Sequence, residues 1–407
     1  LWVVPFDSIK LPFGGPVDAT LDRPLLVLLG GAWLFATDTG GLRRRVRDSP
    51  VHWAFAIFIV IAIFSVLAHA EPLVRVGELD LAIKQLALLA SYGVFFALAA
   101  ATLRPTEIPR MVTAMLGFAC FTALAVIVEY RLGANVFHDL IGPLFPGYVR
   151  PSDLGGADAI GRRLMYGPTA QPLAVAVMLS MALPFALAWL LKARDRREKL
   201  IYAAVVLLLL GGAVATQKKT SLIGPMICVA VLFAYRPRAM LRLAPLAVVA
   251  MVAVHLVAPG ALGAVVDQLS PSSVTKVNST QDRINDYEAI KPDLVAHPLI
   301  GRGYGSYDQK LHRILDNQYL GLAIGVGLLG MLAYLAIFAT SSRSAHRAIR
   351  SRDPSRAPPA LGAAAAIVVA LVSNALLDFL AFPQLPYLLC FIAAIAYVLG
   401  RAPEEAR

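Results

Sequence analysis

The stretch from Ala170 to Lys192, AQPLAVAVMLSMALPFALAWLLK, carries no Asp, Glu, Lys or Arg before its last residue. An uninterrupted apolar run of about 20 residues is long enough to cross a bilayer as a helix. Runs of the same kind recur on both sides of it. Spans are expected at about 24–39, 52–69, 81–103, 108–129, 170–192, 199–216, 220–235, 241–257, 317–341, 359–378 and 382–400. Residues 1–6 read as the tail of a further helix that begins before Leu1. No basic segment at Leu1 marks a cleavable signal peptide.

Composition agrees. Apolar residues make up 58% of the chain and charged residues 15%, and the mean hydropathy is +0.68. Soluble domains carry about a quarter charged residues. A soluble helical protein would have to bury all of these runs at once, so the expectation is an all-α polytopic membrane protein of about 11–12 helices. The net charge of +11 lacks the basic, aromatic-bearing face that nucleic acid would require. Cys120, Cys228 and Cys390 each lie inside an apolar run, without metal or redox spacing, and read as packing residues.

The charged loops orient the spans. Arg43, Arg44, Arg45 and Arg47, then Arg104 and Arg110, then Lys192, Arg194, Arg196, Arg197 and Lys199, then Arg236, Arg238 and Arg242, and finally Arg343, Arg347, Arg350, Arg352 and Arg356 fall in alternate connections. Short cytoplasmic loops are rich in Lys and Arg, so this side is expected to be cytoplasmic. The opposite, outer side has two long loops, 130–169 and 258–316, the larger expected to hold short helices. No repeat or soluble module interrupts residues 1–407, which read as one transmembrane domain.

Five groups of residues stand out on the outer side. Lys218 and Lys219 break the charge rule; they are either lysines snorkelling at the interface or a cationic site for an anionic ligand. Arg162 and Arg163 precede Pro172, as solvated loop charges or as forks for phosphate oxygens. The segment from Gln281 to Glu288 reads as a helix start, with Arg283 and Asp286 on one face. His297-Pro298-Leu299-Ile300-Gly301-Arg302-Gly303-Tyr304-Gly305-Ser306-Tyr307 spaces three glycines for left-handed backbone and close approach. Asp316-Asn317-Gln318-Tyr319 opens a span, where Asp316 is either a helix cap or a general base. Asn374 and Asp378 read as an i,i+4 pair making an interhelical hydrogen bond. Together these groups suit a lipid-anchored diphosphate and an attacking hydroxyl. No metal-ligand spacing or cofactor motif is seen, so cations would take the place of Mg²⁺ in neutralising the leaving diphosphate.

The segment from Asp282-Arg283 through His297–Tyr307 and Asp316–Leu320 to Gly330 resembles the O-antigen ligase and O-antigen polymerase family. So does Thr216-Gln217-Lys218-Lys219, which is similar to that family's T-x-S-R element. The resemblance covers about 160–330. Asp316 stands where the ligases usually have His, and Lys219 where Arg is usual.

The resemblance implies a GT-C-like, metal-independent, inverting glycosyltransferase without cofactor. It would act in polysaccharide or lipopolysaccharide biosynthesis for the cell envelope. Its place would be the bacterial cytoplasmic (inner) membrane, with the active site facing the periplasm. The donor would be an undecaprenyl-diphosphate-linked glycan and the acceptor a glycan or glycolipid; other glycan-assembly membrane proteins could be partners. Asp316 would take the proton, assisted by Arg283 and Lys219. Lys218, Lys219, Arg162, Arg163 and Arg283 would hold the diphosphate, and His297, Gly301, Gly303, Gly305, Tyr307, Asn317 and Tyr319 would shape the surrounding loop. A flippase or transporter for the lipid-linked glycan is the alternative from another class. It would need charges along the middle of several spans, where this chain is mostly clean apart from Lys84.

Overall fold

The computed structural model describes residues 1–10, 20, 26, 28–31, 46–152, 154–157, 163–261, 263, 279–308, 311–312, 314–351 and 353–401, with backbone alone at Val257 and 279–286. Thirteen helices are followed here: α1 (Pro50–Ala68), α2 (Ala70–Val76), α3 (Leu79–Thr102), α4 (Ile108–Leu132), α5 (Pro172–Lys192), α6 (Arg196–Ala215), α7 (Thr220–Tyr235), α8 (Pro237–Leu241), α9 (Ala244–Val257), α10 (Ser279–Ala296), α11 (Gln318–Ile349), α12 (Ala357–Ser373) and α13 (Gln384–Gly400). No sheet occurs among the described residues, only isolated bridges. Six helices (α1, α3, α4, α5, α6 and α11) are long and apolar enough to cross a membrane, and α7, α9, α12 and α13 are shorter apolar helices. The chain is a multi-pass, all-α membrane protein.

The expected spans from 52 onward each meet a helix. The expected span 24–39 lies largely outside the described residues. Two expectations are corrected. Residues 1–5 are not helical, and Phe6–Ser8 forms a single 3-10 turn; Pro5 and the buried Phe6 tie this segment down as a loop. The tenth span ends at Ser373, not at 378. The chain turns at Asn374–Leu377, and Phe379–Ala381 forms a 3-10 turn before α13. The loop helix α10, at 18 residues, is longer than expected.

α5 is the hub. Nearly every residue of it is buried, Ala and Val alternating with larger groups so that α6, α7 and α12 approach closely. Phe185 packs against Gly362 of α12, where a Cβ would lie 2.6 Å from the ring. Gly212 of α6 lies against Ala123 of α4. Small residues at such crossings are how helices gain contact in lipid.

The arginine-rich connections share one end of the bundle. The Tyr235 hydroxyl, closing α7, is 3.0 Å from His346 Nδ1 near the end of α11. Arg356 donates to the Arg401 carbonyl at 3.0 Å, and Arg401 lies 3.7 Å from Asp48. Lys218, Lys219, the described parts of the long loops and the start of α11 therefore lie together at the other end, the site end.

α11 is broken. Gly327 has φ 62 and ψ −164, a conformation open essentially to glycine alone. The break lies nine residues inside the helix, about 14 Å from its start. Backbone groups freed at that depth must be paired within the protein. They pair with the glycine loop: Leu328 and Leu329 N–H donate to the Pro298 and Leu299 carbonyls at 2.9 and 3.1 Å, and Arg302 and Gly303 N–H donate to the Ile324 and Gly325 carbonyls at 2.8 and 3.1 Å. The Ser65 hydroxyl of α1 adds a bond to Gly325 O at 2.8 Å.

Replacing Gly327 should be costly on two counts. The residue would be strained by its φ/ψ, and its Cβ would lie 2.4 Å from the Leu299 carbonyl carbon. Gly327→Ala should lose about 2–4 kcal/mol, read as a clear fall in the thermal unfolding midpoint in detergent. Gly321→Ala, on the same helix with its nearest neighbour 4.0 Å away, should not fall.

Candidate active site

The first half of α11 presents Gln318, Gly321, Leu322 and Gly325 on one face, at i, i+3, i+4 and i+7. This face, the glycine loop, Leu81 and Gln85 of α3, and the turn between α12 and α13 enclose a cavity of about 350 Å³. Its polar lining comes from Gln85, Tyr307, Asp308, Asn317, Gln318 and Asp378.

Each wall has a local cause. Gly301 has φ 66, and a Cβ there would lie 2.4 Å from the carbonyl carbon of Gly325. Gly305 has φ 67, and its missing Cβ leaves room for the Gln85 side chain 2.3 Å away. Asn317 caps α11: its Oδ1 accepts the Tyr319 N–H at 2.9 Å. The cap is thus Asn317, and Asp316, one residue earlier and exposed, is left for another role. Gln318 is buried and ties two elements together. Its N–H donates to the Asn374 carbonyl at 2.8 Å, and its Oε1 accepts the Leu380 N–H at 2.7 Å.

Asp378 is the residue that sequence reasoning misplaced. Asn374 does make an interhelical bond, accepting the Tyr334 hydroxyl at 2.7 Å. Asp378, beyond the end of α12, faces the cavity instead. Burial, and then the negative charge of Asp316, push its carboxyl up to about 7. The two flank the ties that Gln318 makes, Asp316 two residues before Gln318 and Asp378 two residues before Leu380. The apolar run up to Leu377 concealed the helix end.

The other expected residues fall at the same end without all reaching this cavity. His297 stacks edge-on against His69 at 4.6 Å and closes α10 through Gly301 N–H at 3.0 Å. Tyr307 stacks on His312 at 4.7 Å and lines the cavity. The Tyr319 hydroxyl donates to the Leu371 carbonyl at 2.6 Å, a bond that holds α12. Lys218 and Lys219, half-buried, form the turn between α6 and α7, with Gln217 in left-handed backbone at φ 56. They are not among the lining residues. Next to them the Thr220 hydroxyl is buried without a partner. Arg163 lies over the C-terminus of α4, its Nη1 2.6 Å from where a Cβ on Gly133 would be; a cation there suits the helix dipole. Arg162 lies outside the described residues. Arg283 is described by its backbone alone, on α10, two turns before Ile290. Ile290 and Leu294 pack with Leu315, Leu320, Ile324 and Tyr307, which docks α10 on the start of α11.

Two buried carboxylates escaped the sequence reading. Glu129 of α4 accepts the Tyr166 and Gly167 N–H groups, each at 3.0 Å, and the Asn135 amide at 2.9 Å, which staples the first long loop to the bundle. Glu78, 2% exposed, binds Arg302 and His312. Single acids at helix ends carry no sequence signal that separates these roles from solvated caps.

The fold and the cavity define a polytopic membrane protein with a carboxylate-bearing pocket built against a broken helix. Residues 203–335 match the family model described as O-Antigen ligase, which supports the resemblance of this part of the chain to the O-antigen ligase and polymerase family. The matched segment runs from α6 through the glycine loop and the break in α11. A search of curated proteins finds no match. The matched model describes ligase-type enzymes.

Gln318→Leu should leave the Leu380 N–H unpaired beside Asp378. A loss of about 1–3 kcal/mol is expected in thermal unfolding, together with reduced glycan transfer. Unchanged values for both would mean that the α11 and α13 ends are held by other contacts.

Proposed function

We propose that the chain transfers a glycan from a polyprenyl-diphosphate carrier to a sugar hydroxyl, and that the acceptor hydroxyl loses its proton in the cavity of Asp378. The observation that carries this reading is a carboxyl raised to about 7, facing a polar cavity of sugar-sized volume, in a chain whose residues 203–335 match the ligase family model. A base titrating near the working pH combines the correct protonation state with useful basicity.

The acceptor oxygen attacks the anomeric carbon opposite the diphosphate. The bond to the diphosphate breaks, the leaving group keeps the electron pair, and the hydroxyl proton passes to the carboxylate pair of Asp316 and Asp378. A single displacement inverts the anomeric centre. Asp378 faces the substrate, and Asp316 keeps its neighbour's proton affinity high because two close carboxylates resist ionising together. Lys218, Lys219 and Arg283 meet the charge of the diphosphate, supported by Arg162 or Arg163. The lysines directly precede α7, so its positive end adds to theirs. The donor enters from the bilayer on the periplasmic side of a bacterial inner membrane. Asp at position 316 favours a polymerase-like enzyme, whose acceptor is a second lipid-linked unit, over a ligase acting on a terminal sugar such as that of lipid A-core.

A broken helix is also a device of transporters. Here four backbone bonds from the glycine loop pair the groups freed by the break, which favours a fixed site over a moving gate.

Asp378→Asn should lower kcat by about 10²–10⁴ with a lipid-linked glycan donor. The base must be ionised, so the wild-type rate should rise with pH through about 7. Asp316→Asn removes the negative charge that raises Asp378, so its rising limb should move to lower pH. Wild-type turnover in Asp378→Asn would sink the assignment of the base. Complete loss at every pH in Asp316→Asn alone would transfer that role to Asp316.

A further inference from the structure

One buried carboxylate, Glu78, is paired with residues beside the cavity without lining it. Glu78 follows the C-terminus of α2, where Gly77 has φ 75, and precedes α3. Its side chain caps no helix. It is 2% exposed, and its two oxygens are divided between two cations of the glycine-loop region. Oε2 pairs with the Arg302 guanidinium, and Oε1 is 2.7 Å from His312 Nε2. Arg302 Nη1 also lies 3.6 Å from Asp293 of α10. A carboxylate this far out of water persists only when its charge is met by fixed partners.

Arg302 and His312 flank the segment that makes one wall of the cavity, Tyr304, Gly305, Tyr307 and Asp308. Gly301, Gly303 and Gly305 all have positive φ. They bring no side chains with which to pack, and the backbone bonds to α11 end at Gly303, so the wall beyond it depends on side-chain ties. Tyr307 lies flat on His312, with 23° between the rings. One buried carboxylate thus holds both ends of the wall and, through His312, the ring that faces the cavity.

We propose that Glu78, with Arg302 and His312, clamps the glycine loop so that its wall holds the acceptor sugar in register with the carboxylate pair. The three are positioning residues for transfer. This inference rests on the reading of the cavity as the acceptor site, and it predicts an effect on the acceptor that spares the donor.

The test uses the full chain in nanodiscs, with a polyprenyl-diphosphate oligosaccharide as donor and the same glycan on a short lipid as acceptor. Constants are expressed per folded, monodisperse molecule. Glu78→Gln should lower kcat/KM for the acceptor at least tenfold and leave the donor KM within twofold. The midpoint of the pH profile should stay in place, because Glu78 acts on geometry and is not among the charges that shift Asp378. Arg302→Lys, which keeps the charge but not the fork, should fall between Glu78→Gln and wild type. Amide exchange over 301–308 should quicken in Glu78→Gln whether or not turnover is measured. A purely structural role would reduce the amount of folded protein and leave wild-type constants in what remains; that result overturns the clamp, as does unchanged exchange. If Glu78→Gln does not fold, His312→Gln at the more open end decides: wild-type acceptor constants there overturn the proposal, and a severalfold loss supports it. A wild-type chain that transfers nothing contradicts the proposed function itself, and the exchange comparison then judges the clamp separately.

Discussion

Helix α11 cannot continue through Gly327, and the rest of the site end is arranged around that fact. A break about 14 Å inside a membrane helix frees backbone donors and acceptors where water is absent, and each unpaired group would cost several kcal/mol. Residues 298–303 take up Leu328, Leu329, Ile324 and Gly325 one for one. The loop must therefore run down beside the helix, close enough that Gly301 and Gly327 have no room for a Cβ. Once it is there, the following residues, 304–308, are fixed as a wall, and the upper half of α11 becomes the floor of a cavity.

The same end of the bundle collects carboxylates that are out of water for different reasons. Glu129 is spent on backbone N–H groups and anchors the first long loop. Glu78 is spent on Arg302 and His312. Asp378 differs: burial and then the like charge of its neighbour Asp316 both raise its proton affinity. The first two carboxylates hold structure, and the third is the proposed proton acceptor. Their environments, and not their residue type, separate the roles.

How much of this was legible follows from the range of each interaction. The helices from 52 onward could be read because lipid demands long apolar runs, and the alternating arginines put the ends of α7 and α11 on one side, where Tyr235 meets His346. The three loop glycines announced a special backbone. Their partner in α11 did not, because a backbone exchange between residues about 25 apart leaves no side-chain pattern. Asp378 was paired with Asn374 because the apolar residues 375–377 prolong the helical pattern past its real end at Ser373. Asn317 took the cap that had been one of two readings for Asp316. Glu78 and Glu129 could not be distinguished from solvated acids, since what marks them is burial by segments far away in sequence.

The central claim is that glycan transfer takes place in the cavity between the glycine loop and the upper half of α11. Filling that space is the most direct measurement. Gly321 lines the cavity and has open space before it, its nearest neighbour being Gln318 Nε2 at 4.0 Å, so Gly321→Leu should fold with undiminished thermal stability. Purified Gly321→Leu, assayed with a lipid-linked oligosaccharide and acceptor, is expected to bind the donor normally and to lose transfer at least tenfold. Wild-type transfer with the cavity filled would contradict the account.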